Sequence, residues 1–241
     1  MTRHFTGLIA GLIGSAALLA CAAPAQAKAP PPLQALSPAD IDPVGLLPPP
    51  PADGSDRQKA EIEELRAIQA TRSAARLTQA QWDDLHEDAT LFAPTLGLKF
   101  DLAALPQTAK LLAIVDNDQE AAAKVAKAAF HRHRPWIFDP SLVGCPRGDK
   151  PDPLTSYPSG HVTLGYSMGV VLAALIPDRA ADIMARASEF ADSRMVCEVH
   201  TRSDIVAGQV LGTAVGAMLL KTPALQPDIE AAKAELKAAG L

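Results

Sequence analysis

The chain has 241 residues, of which 48% are hydrophobic and 4% aromatic, a composition that suits one globular domain with extensions. It carries 22 basic and 27 acidic residues, and a formal net charge of −5 offers no general affinity for nucleic acid. We therefore expect no nucleic-acid partner and a ligand selected by local charge.

The first 27 residues are organised like a secretory signal. A basic start is followed by an apolar run at 7–23, and an Ala-x-Ala cleavage site ends at Ala27. We predict a signal peptide at 1–27 and a periplasmic or secreted protein. A lipoprotein anchored at Cys21 is the alternative, because Leu-Leu-Ala-Cys resembles a lipobox.

Residues 28–55 form a proline-rich segment, with runs at 30–32 and 48–51 and no helical periodicity. This composition favours an extended, polyproline-like arm. We expect the arm to act as a spacer or to pack against the domain at 56–241, although a ligand for a recognition module is also conceivable.

From residue 56 onward the sequence favours helices, because Ala, Leu, Glu, Lys and Arg dominate and alternating β-branched runs are missing. We predict an all-α, single-domain helical bundle. The predicted helices span residues 57–76, 79–92, 106–115, 119–134, 161–176, 178–199, 203–220 and 229–239.

Two of these helices are strongly apolar, at 162–176 and 205–220, but both are shorter than the roughly 20 residues that a membrane span needs. We predict buried core helices and no stable membrane span. Gly208, Gly212 and Gly216 make a flat face for tight helix packing, although the same spacing would favour dimerisation in a membrane.

A first motif runs from Lys127 to Pro135. The gap of seven puts Lys127 and Arg134 two turns apart on one face of a helix, about 10 Å along its axis, so both cations can reach one anion. Pro135 predicts that the helix ends at Arg134. Two cations alone would also fit a solvated helix face.

A second motif, Ser156-Tyr157-Pro158-Ser159-Gly160-His161, precedes an apolar run. It predicts a loop that enters a buried helix, whose first N–H groups attract anions. Gly160 would let an oxyanion approach the backbone, and Ser159 would cap the helix and donate its hydroxyl. A simple turn is the alternative interpretation.

A third motif runs from Ser193 and Arg194 to His200 and Asp204. The gap of four between His200 and Asp204 predicts one helical face, where the carboxylate holds one imidazole N–H and leaves the other nitrogen free to attack. A structural pair is the alternative. A metallohydrolase site completed by His161 is less favourable because nearby cations would repel a metal ion. Those cations are Lys127, Arg134 and Arg194. Together with Arg132 they predict a local positive pocket that suits a small anionic ligand.

Removal of the signal would leave Cys145 and Cys197 as the remaining cysteines. In an oxidising compartment they could form a disulfide, and two separate buried thiols are equally compatible with the sequence.

In this order the motifs resemble the signature of the phosphatidic acid phosphatase type 2 superfamily, which runs Lys-x6-Arg-Pro, Pro-Ser-Gly-His and Ser-Arg-x5-His-x3-Asp. Every defining position is present. Within the superfamily, the chain is most similar to the secreted class A nonspecific acid phosphatases, because of the proline-rich start, residues 101–106 and Ser156-Tyr157 before Pro158.

The resemblance implies a phosphohistidine mechanism in which His200 is the nucleophile, Asp204 orients it and His161 protonates the leaving alcohol. It implies phosphate-binding roles for Lys127, Arg134, Ser159, Gly160 and Arg194.

The resemblance also implies an acid phosphatase for small-molecule phosphate monoesters that uses no metal or other cofactor, with phosphotransferase activity as a side reaction. A vanadate-dependent haloperoxidase and a non-catalytic phosphate-binding protein are the alternatives. Whether the chain forms a homodimer stays open.

Overall fold

Helix α7, Gly160–Leu175, lies at the centre of the computed structural model, which describes residues 1–2, 29–147 and 151–241. The predicted signal peptide, with Cys21, lies outside these residues except at its first two positions. The described residues form helices and no strands, so the all-α prediction is confirmed. The other helices are α1 (Pro43–Leu46), α2 (Asp56–Thr71), α3 (Ala74–Leu85), α4 (Ala93–Leu96), α5 (Pro106–Phe130), α6 (Pro135–Phe138), α8 (Ala180–Val196), α9 (Arg202–Leu219) and α10 (Gln226–Ala239).

The central helix is surrounded by α5, α8 and α9. Its side chains are apolar around most of the circumference, and Val162, Leu164 and Leu172 are each at most 1% exposed. A helix of this kind is stable only when other elements cover it on every side. The predicted core helix is therefore confirmed.

Glycines allow α9 to approach α7 closely. A Cβ atom on Gly216 would lie 2.8 Å from the carbonyl oxygen of Ser167, and one on Gly208 would lie 2.9 Å from the carbonyl oxygen of Ser159. Both distances are too short for a side chain, so the predicted tight packing is confirmed. At the N-terminal ends of α7 and α9, the Ser159 N–H donates to the carbonyl oxygen of Asp204 over 3.1 Å. This hydrogen bond joins the second motif to the third.

The two helices predicted at 106–115 and 119–134 are one continuous helix, α5. Asp118 lies within this helix. Its fully buried carboxylate accepts the backbone N–H groups of Gln34, Ala35 and Leu36. The polar residues around Asp118 therefore anchor the proline-rich arm, and they do not break the helix. Leu36 also enters the core, so the arm packs on the domain.

Helix α5 ends earlier than the sequence predicted. His131 adopts a left-handed conformation with φ 44°, so the helix stops at Phe130. Arg134 is extended, and its N–H donates to the carbonyl oxygen of Pro153 over 2.7 Å. The prediction that Lys127 and Arg134 share one helix face is therefore wrong, because three non-helical residues separate Arg134 from α5.

Three other predicted boundaries also move. The predicted helix at 57–76 breaks after Thr71, because the Ser73 hydroxyl accepts the Arg76 N–H and starts α3. The helix predicted at 79–92 ends at Leu85 and is followed by a short 3₁₀ turn. Helix α8 ends at Val196, before Glu198, which has a φ of 61°.

No single helix of the described chain is long and apolar enough to cross a membrane. Helix α9 and the segment Pro223–Ala239 meet the length and composition limits only as a pair, and they are bent by 69°.

Candidate active site

The three motifs meet where α7 and α9 begin and α5 ends. Lys127, in the last turn of α5, donates from Nζ to the carbonyl oxygen of Thr155 over 3.0 Å. The Ser156 N–H donates to the carbonyl oxygen of Arg132 over 3.1 Å. Pairing between these loops places the cations of the first motif against the second motif, although they do not share a helix.

His200 is almost completely buried, with 1% of its surface exposed. Arg134 Nη1 lies 2.7 Å from His200 Nε2 and also donates to the carbonyl oxygen of Val199 over 2.8 Å. Because a guanidinium can only donate, Nε2 must be the acceptor nitrogen and the proton of the neutral ring sits on Nδ1. The lone pair on His200 Nε2 therefore points toward Arg134.

Asp204 faces the other side of the His200 ring. Its Oδ2 lies 3.5 Å from Nδ1, which is too long for a strong hydrogen bond. The prediction that both residues share a helical face is wrong, because α9 begins at Arg202 and His200 precedes it. The pair is close because Asp204 closes a capping box with Thr201, accepting the Thr201 N–H over 2.8 Å.

Arg132 holds Asp204 from behind the site. Its Nη1 donates to Asp204 Oδ1 over 2.6 Å, and its Nη2 donates to Glu61 Oε2 over 2.7 Å. Two carboxylates thus neutralise Arg132, and the prediction that it adds to the positive pocket is wrong. Glu61 belongs to α2, and no motif pointed to it.

Burial and hydrogen bonding determine the charge of this buried pair. Burial raises the pKa of Asp204, whereas the Arg132 cation and the Thr201 and Ser156 donors oppose that rise. Burial also pushes the pKa of His200 well below its ordinary value, and repulsion from Arg134 and Lys127 adds to the effect. Both effects favour a neutral His200.

Several buried donors around His200 have no protein partner. Within the described residues, Arg134 Nε, Arg194 Nε, Ser159 Oγ and His200 Nδ1 are buried without a hydrogen bond. Ser159 occupies the N-cap position of α7, as predicted, but its hydroxyl does not cap the helix. Because unpaired buried donors cost free energy, this concentration of them at one place indicates a site for an acceptor-rich ligand.

His161, in the first turn of α7, lies nearer the surface than His200. Its Nδ1 lies 2.7 Å from Glu87 Oε1, its Nε2 lies 3.4 Å from the carbonyl oxygen of Asp84, and its ring stacks on Phe190. Burial and the charge of Arg194 lower the pKa of His161, and the Glu87 carboxylate opposes this.

Asp84 and Glu87 were missed by the sequence reasoning. Asp84 lies in the last turn of α3, and its Oδ1 lies 2.5 Å from Arg194 Nη1, so the end of α3 contacts both Arg194 and His161. Burial raises the pKa of Glu87, but attraction to His161, Arg194 and Lys127 outweighs it and leaves the pKa below its ordinary value. In the sequence, these two residues stand out only as part of an acidic stretch at the end of α3 and before the next turn.

Lys127 and Gly160 border the open side of the site. A Cβ atom on Gly160 would lie 3.6 Å from Lys127 Nζ and 3.7 Å from Glu87 Oε1, so the missing side chain leaves room between these charges. Burial and repulsion from Arg134 lower the pKa of Lys127 to about 7. Arg134 keeps its charge, because burial lowers its pKa only to about 10.

A disulfide between Cys145 and Cys197 supports the loop that carries His200, with a Cα–Cα distance of 4.8 Å. The neighbouring Glu198 is fully buried, accepts the Gly144 N–H over 3.0 Å and pairs with Arg72. The turn between α8 and His200 is thus fixed to the loop that precedes the second motif.

No cluster of three metal-ligating side chains occurs in the described part of the chain. The metallohydrolase alternative required His200, Asp204 and His161 to share a cation. In the structure His200 and Asp204 face the guanidinium groups of Arg134 and Arg132. The donor set therefore fits an anion better than a metal ion.

Comparisons with known proteins agree with this chemistry. A model of the PAP2 superfamily matches residues 111–226, which include all three motifs. The chain is 34% identical over 203 residues to the acid phosphatase of Zymomonas mobilis subsp. mobilis, covering 82% of this chain and 76% of that protein. It is 32% identical over 205 residues to the non-specific acid phosphatase of Providencia stuartii, covering 81% of each. The non-specific acid phosphatase of Salmonella typhimurium is 30% identical over 198 residues, covering 79% of this chain and 78% of the relative.

Proposed function

Since the chain belongs to the PAP2 superfamily and is an acid phosphatase, we propose that it hydrolyses small phosphate monoesters without a metal ion, through a phosphohistidine at His200. The observation that carries this proposal is the group of unpaired buried donors on Arg134, Arg194 and Ser159 beside a neutral imidazole. A phosphoryl group supplies the oxygens that these donors lack.

The proposed cradle holds the three non-bridging oxygens of the phosphoryl group. Arg134 and Arg194 contribute charge and N–H donors, Ser159 contributes its hydroxyl, and Lys127 contributes a further cation. The first N–H groups of α7, beginning at Gly160, point out of the helix and add the positive end of its dipole. Fixed donors of this kind stabilise the charge that spreads over the oxygens in the transition state.

In the first step, His200 Nε2 attacks phosphorus as the bond to the leaving oxygen breaks. His161 gives its proton to that oxygen, so the leaving group departs as an alcohol. The His200 ring becomes positively charged when it carries the phosphoryl group, and the Asp204 carboxylate beside Nδ1 stabilises that charge.

In the second step, water attacks the phosphohistidine and the neutral His161 accepts a proton from the water. The N–P bond breaks, inorganic phosphate leaves, and both histidines return to their starting protonation states. An alcohol in place of water would give a new phosphate ester, which accounts for the proposed phosphotransferase side activity.

The first test measures hydrolysis of p-nitrophenyl phosphate by the purified protein with and without EDTA. We expect the same rate in both, because protein cations take the part that metals play in other phosphatases. Rapid quenching should trap an acid-labile, alkali-stable phosphoenzyme. Loss of activity in EDTA that zinc or magnesium restores would overturn the metal-free mechanism.

We also propose that the enzyme works after export, in the periplasm or outside the cell. Two observations support this: the signal-like residues 1–27, and the bond between Cys145 and Cys197, which is typical of oxidising compartments. The mass of the exported protein tests it. A chain beginning at Lys28 is expected, and a lipid-modified chain beginning at Cys21 would favour the lipoprotein alternative.

A further inference from the structure

An open cleft of about 570 Å³ leads from Lys127 and Gly160 to the surface. Its walls combine small apolar groups with charged side chains. Beyond the proposed phosphate site, the acidic residues of the wall are Glu87, Glu120 and Asp152. Lys124 is paired with Glu120 over 2.5 Å, and Lys127 belongs to the proposed phosphate cradle. Among the residues that the structure describes, the wall that would receive the leaving group is therefore net negative.

Glu87 is the acidic residue of this cleft that contacts the proposed general acid. Its Oε1 lies 2.7 Å from His161 Nδ1 and borders the open side of Gly160. The other ring nitrogen, Nε2, faces the carbonyl oxygen of Asp84. Nδ1 thus lies against a carboxylate that lines the cleft, and a leaving oxygen that takes the Nδ1 proton must come directly beside Glu87.

We propose that Glu87 is a specificity-determining residue that disfavours phosphate monoesters with a negatively charged leaving group and favours those with a neutral or cationic one. This inference rests on the proposed function, because it takes His161 as the acid. The Glu87 side chain is 49% exposed, so its charge faces the substrate. Hydroxyl or ammonium groups of a leaving group can donate to the carboxylate, whereas an anionic group is repelled.

Attraction to the neighbouring cations keeps Glu87 charged under acidic conditions. Burial alone would raise the pKa of Glu87, but His161, Arg194 and Lys127 bring it below its ordinary value. The lowered pKa favours the charged carboxylate at the pH of about 6 that the test below uses. Substrates with several hydroxyl groups or an amine beside the ester oxygen fit this cleft best.

The test uses three aryl phosphates that differ in the para substituent: aminomethyl, carboxamide and carboxylate. The carboxamide and carboxylate esters have nearly the same size, so their ratio of kcat/KM reports charge. The assay is run at about pH 6, where a benzoate and Glu87 are both ionised. We expect the wild-type enzyme to hydrolyse the aminomethyl ester best and the carboxylate ester worst.

The variant Glu87→Gln removes the charge and keeps the shape. In this variant the ratio of kcat/KM for the carboxamide ester to kcat/KM for the carboxylate ester should fall roughly tenfold. This is the size expected for unit charges a few ångströms apart at a half-exposed site. The matched control is Glu120→Gln, which removes a carboxylate of the same cleft that does not contact His161. This control should change the ratio much less.

An unchanged ratio in Glu87→Gln, or an equal change in Glu120→Gln, would overturn the assignment to Glu87. Should Glu87→Gln prove unstable, salt offers an independent measurement on the wild-type enzyme, where screening must narrow the ratio and an invariant ratio contradicts the proposal. Failure of the proposed function looks different. In that case the wild-type enzyme would not hydrolyse the carboxamide ester in EDTA.

Discussion

The two histidines of the site have opposite surroundings. His200 is 1% exposed, accepts a hydrogen bond from Arg134 and has the Asp204 carboxylate 3.5 Å from Nδ1, too far for a strong hydrogen bond. The His161 side chain is 15% exposed and has the Glu87 carboxylate at 2.7 Å. Burial and cations thus keep His200 neutral with an unprotonated Nε2, whereas a carboxylate helps His161 to hold a proton.

This difference assigns the two roles in the proposed mechanism. A nucleophilic imidazole must be unprotonated at the attacking nitrogen, and a general acid must carry a proton. Burial and the charge of Arg194 lower the pKa of His161. The negative charge of a bound phosphate ester raises that pKa again, so we infer that the substrate itself completes the protonation of the acid.

The strongest test of the comparison is His200→Ala. With no attacking nitrogen left, activity should fall to the background level for every ester, and no acid-labile phosphoenzyme should form. The control is His133→Ala, because His133 pairs with Asp53 and its side chain is 39% exposed. That variant should retain both activity and the intermediate. Phosphoenzyme in His200→Ala would show that another residue is the nucleophile.

The variant His161→Ala should have a smaller effect that depends on the substrate. General acid catalysis is worth roughly 10²- to 10⁴-fold, and an alkyl phosphate should lose about that much rate. A p-nitrophenyl ester should lose far less, because its leaving group departs without a proton. Phosphoenzyme should still form from this ester. Equal losses on both esters would mean that His161 acts by another route.

The sequence predicted the fold class, and its motifs named side chains that the structure places close together, because spaced motifs and helix periodicity are local properties. It could not predict which cations are paired with carboxylates and which face His200. Arg132 and Arg134 are two positions apart, yet Arg132 is neutralised by Glu61 and Asp204, and Arg134 lies against His200. That distinction depends on α2 and on the break after Phe130, which tertiary contacts determine.

The same limit explains why the surroundings of His161 were missed. Glu87 precedes His161 by 74 positions and has no periodic partner in the sequence. It reaches the site because α3 ends at Leu85 and the chain then passes the first turn of α7. The motifs name the residues that we propose to hold phosphate, whereas the neighbours that shift the pKa values of the two histidines come from separate parts of the chain.

The smallest expected effect concerns Lys127, a cation that repels protons from His200 and contributes to the proposed phosphate cradle. Burial and Arg134 lower its pKa to about 7, so the ammonium is charged below that pH and loses its charge above it. Binding of an anion should therefore weaken as pH rises through this range, by up to about tenfold for each pH unit. Sulfate is the suitable probe, because its own charge is constant there.

The measurement is the inhibition constant of sulfate against p-nitrophenyl phosphate hydrolysis between about pH 6 and 8.5, in the wild-type enzyme and in Lys127→Arg. Arginine stays charged throughout, so the variant should show a flatter dependence than the wild type. His161 lies in both proteins and contributes equally to the two curves, which leaves their difference to residue 127. Parallel curves would show that another group loses its charge in this pH range. Lys127 would then not be one of the cations that make the surroundings of His200 differ from those of His161.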